Sequence, residues 1–150
     1  MSQSLVKNYV HIVFSTKHRE DFIDEKIEKE LFSYIAVIFK NLESTALQIG
    51  GTDNHIHILC VFSKKIALMK LVQEIKANSS RWIKAKGEKY ASFFWQDGYG
   101  AFSVAEENLF IIRNYIRNQR QHHQKIHYKE ELIDILEKHK MKYDEKYLWD

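Results

Sequence analysis

Apolar residues recur along this chain in two periods, and the switches between them mark its elements. Tyr9-Val10-His11-Ile12-Val13-Phe14-Ser15-Thr16 is rich in β-branched and aromatic residues and predicts a first strand, with Lys17-His18-Arg19 as a basic exit. Asp24 is placed to cap a helix in which Ile27, Leu31, Tyr34, Ile35 and Ile38 recur at helical spacing as far as about Leu42. Ser44 to Ile49 predicts a short second strand. Gly50-Gly51-Thr52-Asp53-Asn54 then reads as a turn into the apolar run that starts at His55, so the two strands pair as an antiparallel hairpin. A second helix over roughly Ile66 to Lys86 puts Leu68, Val72, Ile75, Ser79 and Trp82 on one face. Phe93-Phe94-Trp95 and Ala101-Phe102-Ser103-Val104 flank Gly98-Tyr99-Gly100 in an extended, glycine-interrupted segment. A third helix runs from Glu106 to about Lys125 and a fourth from Glu130 to about Lys140.

The order strand, helix, strand, strand, helix, strand, helix predicts an α+β fold of the ferredoxin-like, split βαβ kind. Its antiparallel sheet would carry helices packed on one face and leave the other free. With no proline, repeat or linker to mark a break, residues 1–150 read as a single domain, with 130–150 as a C-terminal helical tail. A 45% hydrophobic content with 13% aromatics excludes a disordered chain. The one cysteine, Cys60, sits in an apolar strand, which rules out a disulfide framework and fits a reducing, cytoplasmic setting. No signal-peptide pattern opens the chain and no apolar run reaches membrane-spanning length, so no membrane partner is expected.

The candidate chemistry begins at His55-Ile56-His57. Side chains alternate along a strand, so both imidazoles project from one side while Ile56, Ile58, Cys60 and Phe62 project from the other. Two imidazoles fixed side by side can chelate one metal ion, and the plain alternative is a hydrogen-bonded pair at the edge of the core. In the third helix Tyr115 and Gln119 stand at i and i+4, on one face. A tyrosine can attack a phosphodiester and stay covalently joined to DNA, given a polarised phosphate or a positive neighbourhood. Gln119 can supply an amide oxygen as a third metal ligand. The alternative there is a core-packed tyrosine beside a solvated glutamine.

A formal charge of +3 is too small to diagnose a partner, but its distribution is uneven. From Lys64 to Lys89 the basic residues, among them Lys76, Arg81 and Lys84, are opposed only by Glu74 and Glu88. The third helix adds Arg113, Arg117, Arg120 and Lys125, while the tail after Lys129 is acid-rich. A basic stripe interleaved with Trp82, Phe94, Trp95 and Tyr99 suits phosphate backbones with bases stacked on aromatics. Lysines solvating a helix face over core aromatics would leave the same pattern.

Four features in this order resemble the single-tyrosine HUH transposases of small bacterial insertion sequences. They are His11-Ile12-Val13-Phe14-Ser15-Thr16-Lys17, His55-Ile56-His57, Trp95 through Val104, and the Tyr115-to-Gln119 spacing. The resemblance spans about Tyr9 to Gln124; the tail from His127 onward lies outside it. It implies a ferredoxin-like homodimer in which His55, His57 and Gln119 hold Mg2+ or Mn2+ and Tyr115 is the nucleophile. The reaction implied is cleavage and rejoining of single-stranded DNA at hairpin-bearing element ends through a 5′-phosphotyrosine. In such relatives the tyrosine of one subunit completes the histidine site of the other. A histidine-triad nucleotide hydrolase also carries His-hydrophobic-His, but it wants a third alternating histidine where this chain has Leu59. A non-catalytic or domesticated single-stranded nucleic-acid binder of the same fold is the other alternative.

Overall fold

A computed structural model of the chain describes residues 2–150. Four strands, β1 (Tyr9–Ser15), β2 (Thr45–Thr52), β3 (His55–Val61) and β4 (Gly100–Ser103), form one sheet in the order β2-β3-β1-β4 with every neighbour antiparallel. β1 and β3 are the two inner strands, registered so that Val13 faces His57 and Ser15 faces His55. Helix α1 (Glu25–Asn41) carries the chain from β1 past β3 to the edge strand β2, and α2 (Leu68–Lys84) connects β3 to β4. This is the split βαβ arrangement expected from the order of elements.

Local chemistry sets these elements as the sequence predicts. The Asp24 carboxylate accepts from the Ile27 backbone N–H at 2.9 Å, and Glu25 and Glu28 complement the positive end of α1. Glu43 turns left-handed (φ 54°) just past the helix, and Ser44 N–H returns to the Phe39 carbonyl at 2.9 Å, closing α1. Leu31, Ile35, Ile38 and Phe39 of α1 and Leu71, Val72 and Ile75 of α2 pack on Ile12, Phe14, Ile56, Ile58 and Cys60. Each such side chain contributes roughly 1.5–3 kcal/mol when fully buried.

Two features differ from the sequence reading. The first is β2, which runs through Gly50 and Gly51 instead of ending at Ile49, so the turn is only Asp53-Asn54. A Cβ at Gly50 would stand 2.0 Å from the Ile116 carbonyl oxygen, so glycine here serves the close approach of a helix to the strand. The second concerns the sheet's other face, expected to be free. It is covered by α3 (Leu109–Arg117), the short α4 (Gln119–His122) and α5 (Tyr128–Lys138). α3 and α4 replace the single third helix, broken at Asn118 (φ −99°, ψ 22°). Tyr128, Leu132 and Leu136 of α5 pack on Val13 and Phe102, burying a second, smaller core. The predicted fourth helix is thus the lid of this face, and a last turn, α6 (Glu145–Leu148), adds Leu148 to its edge.

Candidate functional site

The covered face encloses the polar residues of the inner strands. His55 and His57 project together from β3, as alternation requires, with no solvent exposure. Each ring is held at Nδ1 and aims Nε2 inward. His57 Nδ1 shares a 2.8 Å hydrogen bond with His11 Nε2 of β1, and His55 Nδ1 lies 2.8 Å from Asn54 Oδ1 and 3.0 Å from Thr52 Oγ1. Outer-nitrogen anchoring of this kind fixes a ring for ligation through its other nitrogen.

Tyr115 and Gln119 arrive from above, on either side of the Asn118 break, and still share one face. Gln119 Oε1 lies 3.0 Å from His55 Nε2, and the Tyr115 ring stands 5.7 Å from the His57 ring, edge to face. The four residues that the sequence singles out are therefore gathered in one place. Within the single chain, Tyr115 stands over its own sheet.

Three further residues complete the cluster. Glu131 of α5 sits at its centre, where Oε1 lies 3.0 Å from His57 Nε2, 3.0 Å from His123 Nε2 and 3.5 Å from His55 Nε2. Its Oε2 accepts from Gln119 Nε2 at 3.0 Å and from the Tyr115 hydroxyl. His123 Nε2, a buried atom, makes no hydrogen bond among the described residues although it lies 3.0 Å from Glu131 Oε1. His11 backs the group from β1. His123 was within reach of sequence reasoning, lying one more helical turn beyond Gln119. Glu131 left no local signal, because its place depends on the tail folding back over the sheet.

Burial governs the electrostatics. It pulls His55 down to about 4 and His11, helped by its neighbour His57, down to about 3, so both rings are neutral near pH 7. Burial opposes a charge on Glu131, but His57 and the other histidines around it outweigh that and hold the carboxyl well below its usual range. Burial, then the Glu131 charge, raises Tyr115 above the ordinary phenol range, so its hydroxyl stays protonated and donates. One ligand atom each from His55, His57, His123 and Glu131 lies within 4.8 Å of the others. Imidazole and carboxylate donors at that spacing, with an unsatisfied buried nitrogen among them, fit a divalent ion.

The residues expected to contact nucleic acid divide. Lys76 donates to the carbonyls of Gln96, Asp97 and Gly98 at 2.7, 3.1 and 2.7 Å, which occupies all three of its N–H groups. Arg120 is held by Glu28, Asp53 and the Ile23 carbonyl at 2.7–3.0 Å. Both are engaged within the fold. Arg81 and Arg117 are exposed, and Lys84 lies 3.8 Å above the exposed Phe94 ring, so these three remain presented to solvent. Of the interleaved aromatics, Trp95 is core, donating to Ser79 Oγ at 2.9 Å, while Trp82 stacks on Tyr34. Among the described residues no helix is long and apolar enough to cross a membrane.

Comparison with known proteins places this geometry. Among solved structures, the chain superposes on a candidate transposase from Deinococcus radiodurans R1 with a TM-score of 0.62 at 19% identity, covering 79% of this chain and 98% of that one. It superposes on a REP-associated tyrosine transposase bound to a REP hairpin with a TM-score of 0.56 at 12% identity, covering 77% of this chain and 70% of that one. At such identities these likenesses speak to the fold. No curated protein matches the chain. The family model described as "Transposase IS200 like" matches residues 4–119. That match takes in both histidines of β3, the tyrosine and the glutamine, and the chain belongs to the IS200-like transposase family.

Proposed function

We propose that this transposase-family protein, acting as one domain over residues 1–150, cleaves and rejoins single-stranded DNA at hairpin-bearing element ends through a covalent tyrosine intermediate. The observation that carries the reading is the meeting of Tyr115 and Gln119 with His55 and His57, residues some sixty positions apart, in one buried cluster. Tyr115 is the nucleophile. Its oxygen bonds to the scissile phosphorus as the bond from phosphorus to the 3′ oxygen breaks. The phenol gives up its proton, the departing oxygen gains one, and the products are a 5′-phosphotyrosine and a free 3′-hydroxyl. Attack by a 3′-hydroxyl on that phosphotyrosine runs the same exchange backwards and rejoins strands. His55 and His57, through Nε2, and Gln119, through Oε1, would hold Mg2+ or Mn2+. A bound ion of this kind polarises the phosphate. His11, Asn54 and Thr52 keep the two rings in register for that task. Arg81, Lys84 and Arg117 bind the phosphate backbone.

A homodimer is part of this reading, with the exposed Phe110 and Ile111 on the outer side of α3 as its apolar contact. Because Tyr115 already stands beside its own histidines, each site is assigned to a single chain, in place of the shared sites implied by the resemblance. One observation favours a non-cleaving binder instead: the Glu131 carboxylate fills the face a phosphate would approach.

A single assay tests all three points. With Mn2+ and a single-stranded hairpin oligonucleotide, the wild type forms a denaturation-resistant adduct and Tyr115→Phe forms none while still shifting the DNA. Mixed dimers of His57→Ala and Tyr115→Phe subunits stay inactive if sites lie within one chain and regain part of the cleavage if they are shared. DNA binding with no adduct from the wild type would establish the binder.

A further inference from the structure

We propose that the chain beyond Gln119 supplies metal ligands of its own: His123, just past α4, and Glu131 of α5 join His55 and His57 in a four-residue site for a transition ion such as Mn2+, and the ion clamps α5 over the nucleophile. This rests on the reading that the β3 histidines hold an ion, and it goes beyond the His55, His57 and Gln119 set.

Four observations carry it. Three imidazole nitrogens converge on one carboxylate oxygen, at 3.0, 3.0 and 3.5 Å from Glu131 Oε1. Protons alone serve that convergence badly. The outer nitrogens of His55 and His57 are already engaged, and among the described residues His123 Nε2 has no hydrogen bond of good geometry. Such a crowd of donor atoms within 4.8 Å is what an ion at about 2.0–2.2 Å from each ligand would draw together by small side-chain shifts.

Charge makes the same point. Glu131 is 2% exposed, and among the described residues its ion-pair partners are histidines, with no lysine or arginine. A buried carboxylate without a permanent countercharge is costly, and a divalent cation supplies one. The donor set then selects the ion. Three nitrogens and one carboxylate suit Mn2+ or a later transition metal, whereas Mg2+ prefers oxygen ligands and keeps its waters.

The consequence is regulatory. With Glu131 seated, Oε1 faces the ion while Oε2 holds the Tyr115 hydroxyl and the Gln119 amide. His55, His57 and Glu131 are buried and His123 is half-buried, so a DNA strand gains full access to the ion only after α5 withdraws. The ion-loaded, α5-docked state is a closed resting state, and the departure of Glu131 opens both a coordination position and the nucleophile.

Calorimetric titration of the full chain with MnCl2 and with MgCl2 tests the site, alongside hydrogen exchange of residues 128–138 with and without Mn2+. The wild type should bind Mn2+ at least tenfold more tightly than Mg2+. Glu131→Gln, which keeps the side chain's shape, and His123→Ala should each weaken Mn2+ binding tenfold or more. Mn2+ should slow α5 exchange in the wild type and leave it unchanged in Glu131→Gln. Wild-type Mn2+ affinity in both variants, with affinity lost in His57→Ala, would overturn Glu131 and His123 as ligands and leave the histidine pair as the metal site. Unchanged affinity in His57→Ala as well, or no Mn2+ binding by the wild type, would overturn the metal reading of the pair too.

Discussion

The two faces of the sheet use the same strands and are covered by helices of the same chain, yet they are built on opposite principles. Under α1 and α2 every inward position of β1 and β3 is apolar, and Ile12, Phe14, Ile56, Ile58 and Cys60 are sealed against periodic helix faces. Under α3, α4 and α5 the alternate positions of those strands mix Val13 and Leu59 with His11, Ser15, His55 and His57, and the covering helices bring Tyr115, Gln119, His123 and Glu131 to meet the histidines. The first face is fixed by burial of surface, which is non-directional and tolerant of detail. The second joins a smaller apolar core to directional bonds among groups that burial itself disfavours. Stability is therefore expected to live on the first face and chemistry on the second.

The sharpest way to break that contrast is a pair of truncations on opposite faces of the inner strands. Phe14→Ala opens a cavity in the apolar core, where the ring is fully buried and packs edge-on against Trp95, and should cost about 3–5 kcal/mol in urea unfolding. His57→Ala, equally buried but on the other face, should abolish Mn2+ binding at a clearly smaller cost in stability. Equal losses of stability would mean that the polar face holds the fold up as much as the apolar one.

The same contrast explains what could be read from the sequence. α1, α2 and the inward side of the strands follow from spacing alone, because an amphipathic period records which side is buried. Tyr115 and Gln119 were legible for the same reason, being one helical turn apart. Glu131 was not, because its partner His57 lies 74 positions away and only the return of α5 over the sheet joins them. Gly50 and Gly51 read as a turn since glycine's local meaning is ambiguous. Only the approach of Ile116 shows that the missing Cβ is what matters. The carbonyls and carboxylates that hold Lys76 and Arg120 were not legible, because a sequence shows a charge and not its partners.

Those partners give the next prediction. Reversing Arg81, Lys84 and Arg117 to glutamate should weaken single-stranded DNA binding and flatten its dependence on salt, by roughly 0.7 in log–log slope for each phosphate no longer neutralised. Arg120→Ala should leave that slope unchanged and lower unfolding free energy by about 1–3 kcal/mol, since Glu28 and Asp53 lose a shared partner. Salt-dependent binding measured beside urea unfolding separates the two classes. A flattened slope in Arg120→Ala would return that residue to the DNA surface.

The smallest effect should come from His11, and it is the most discriminating. His11 is buried, stacks on His57 with ring centroids 5.0 Å apart, and bonds His57 Nδ1 at 2.8 Å. Phenylalanine fills a similar volume and keeps the stack but cannot make the bond. Part of the loss of that bond is offset by no longer burying a polar ring, so His11→Phe should lower stability by only about 1 kcal/mol. On a face built for chemistry the bond has a second role, orienting the His57 ring so that Nε2 points inward. Losing an outer-nitrogen partner of this kind costs about 10–100-fold in metal affinity. Urea unfolding and Mn2+ titration of His11→Phe should therefore diverge, with a small change in the first and at least a tenfold weakening in the second. If affinity is unchanged while stability falls as far as in Phe14→Ala, His11 belongs to the packing of the sheet, and the division between its two faces fails at β1.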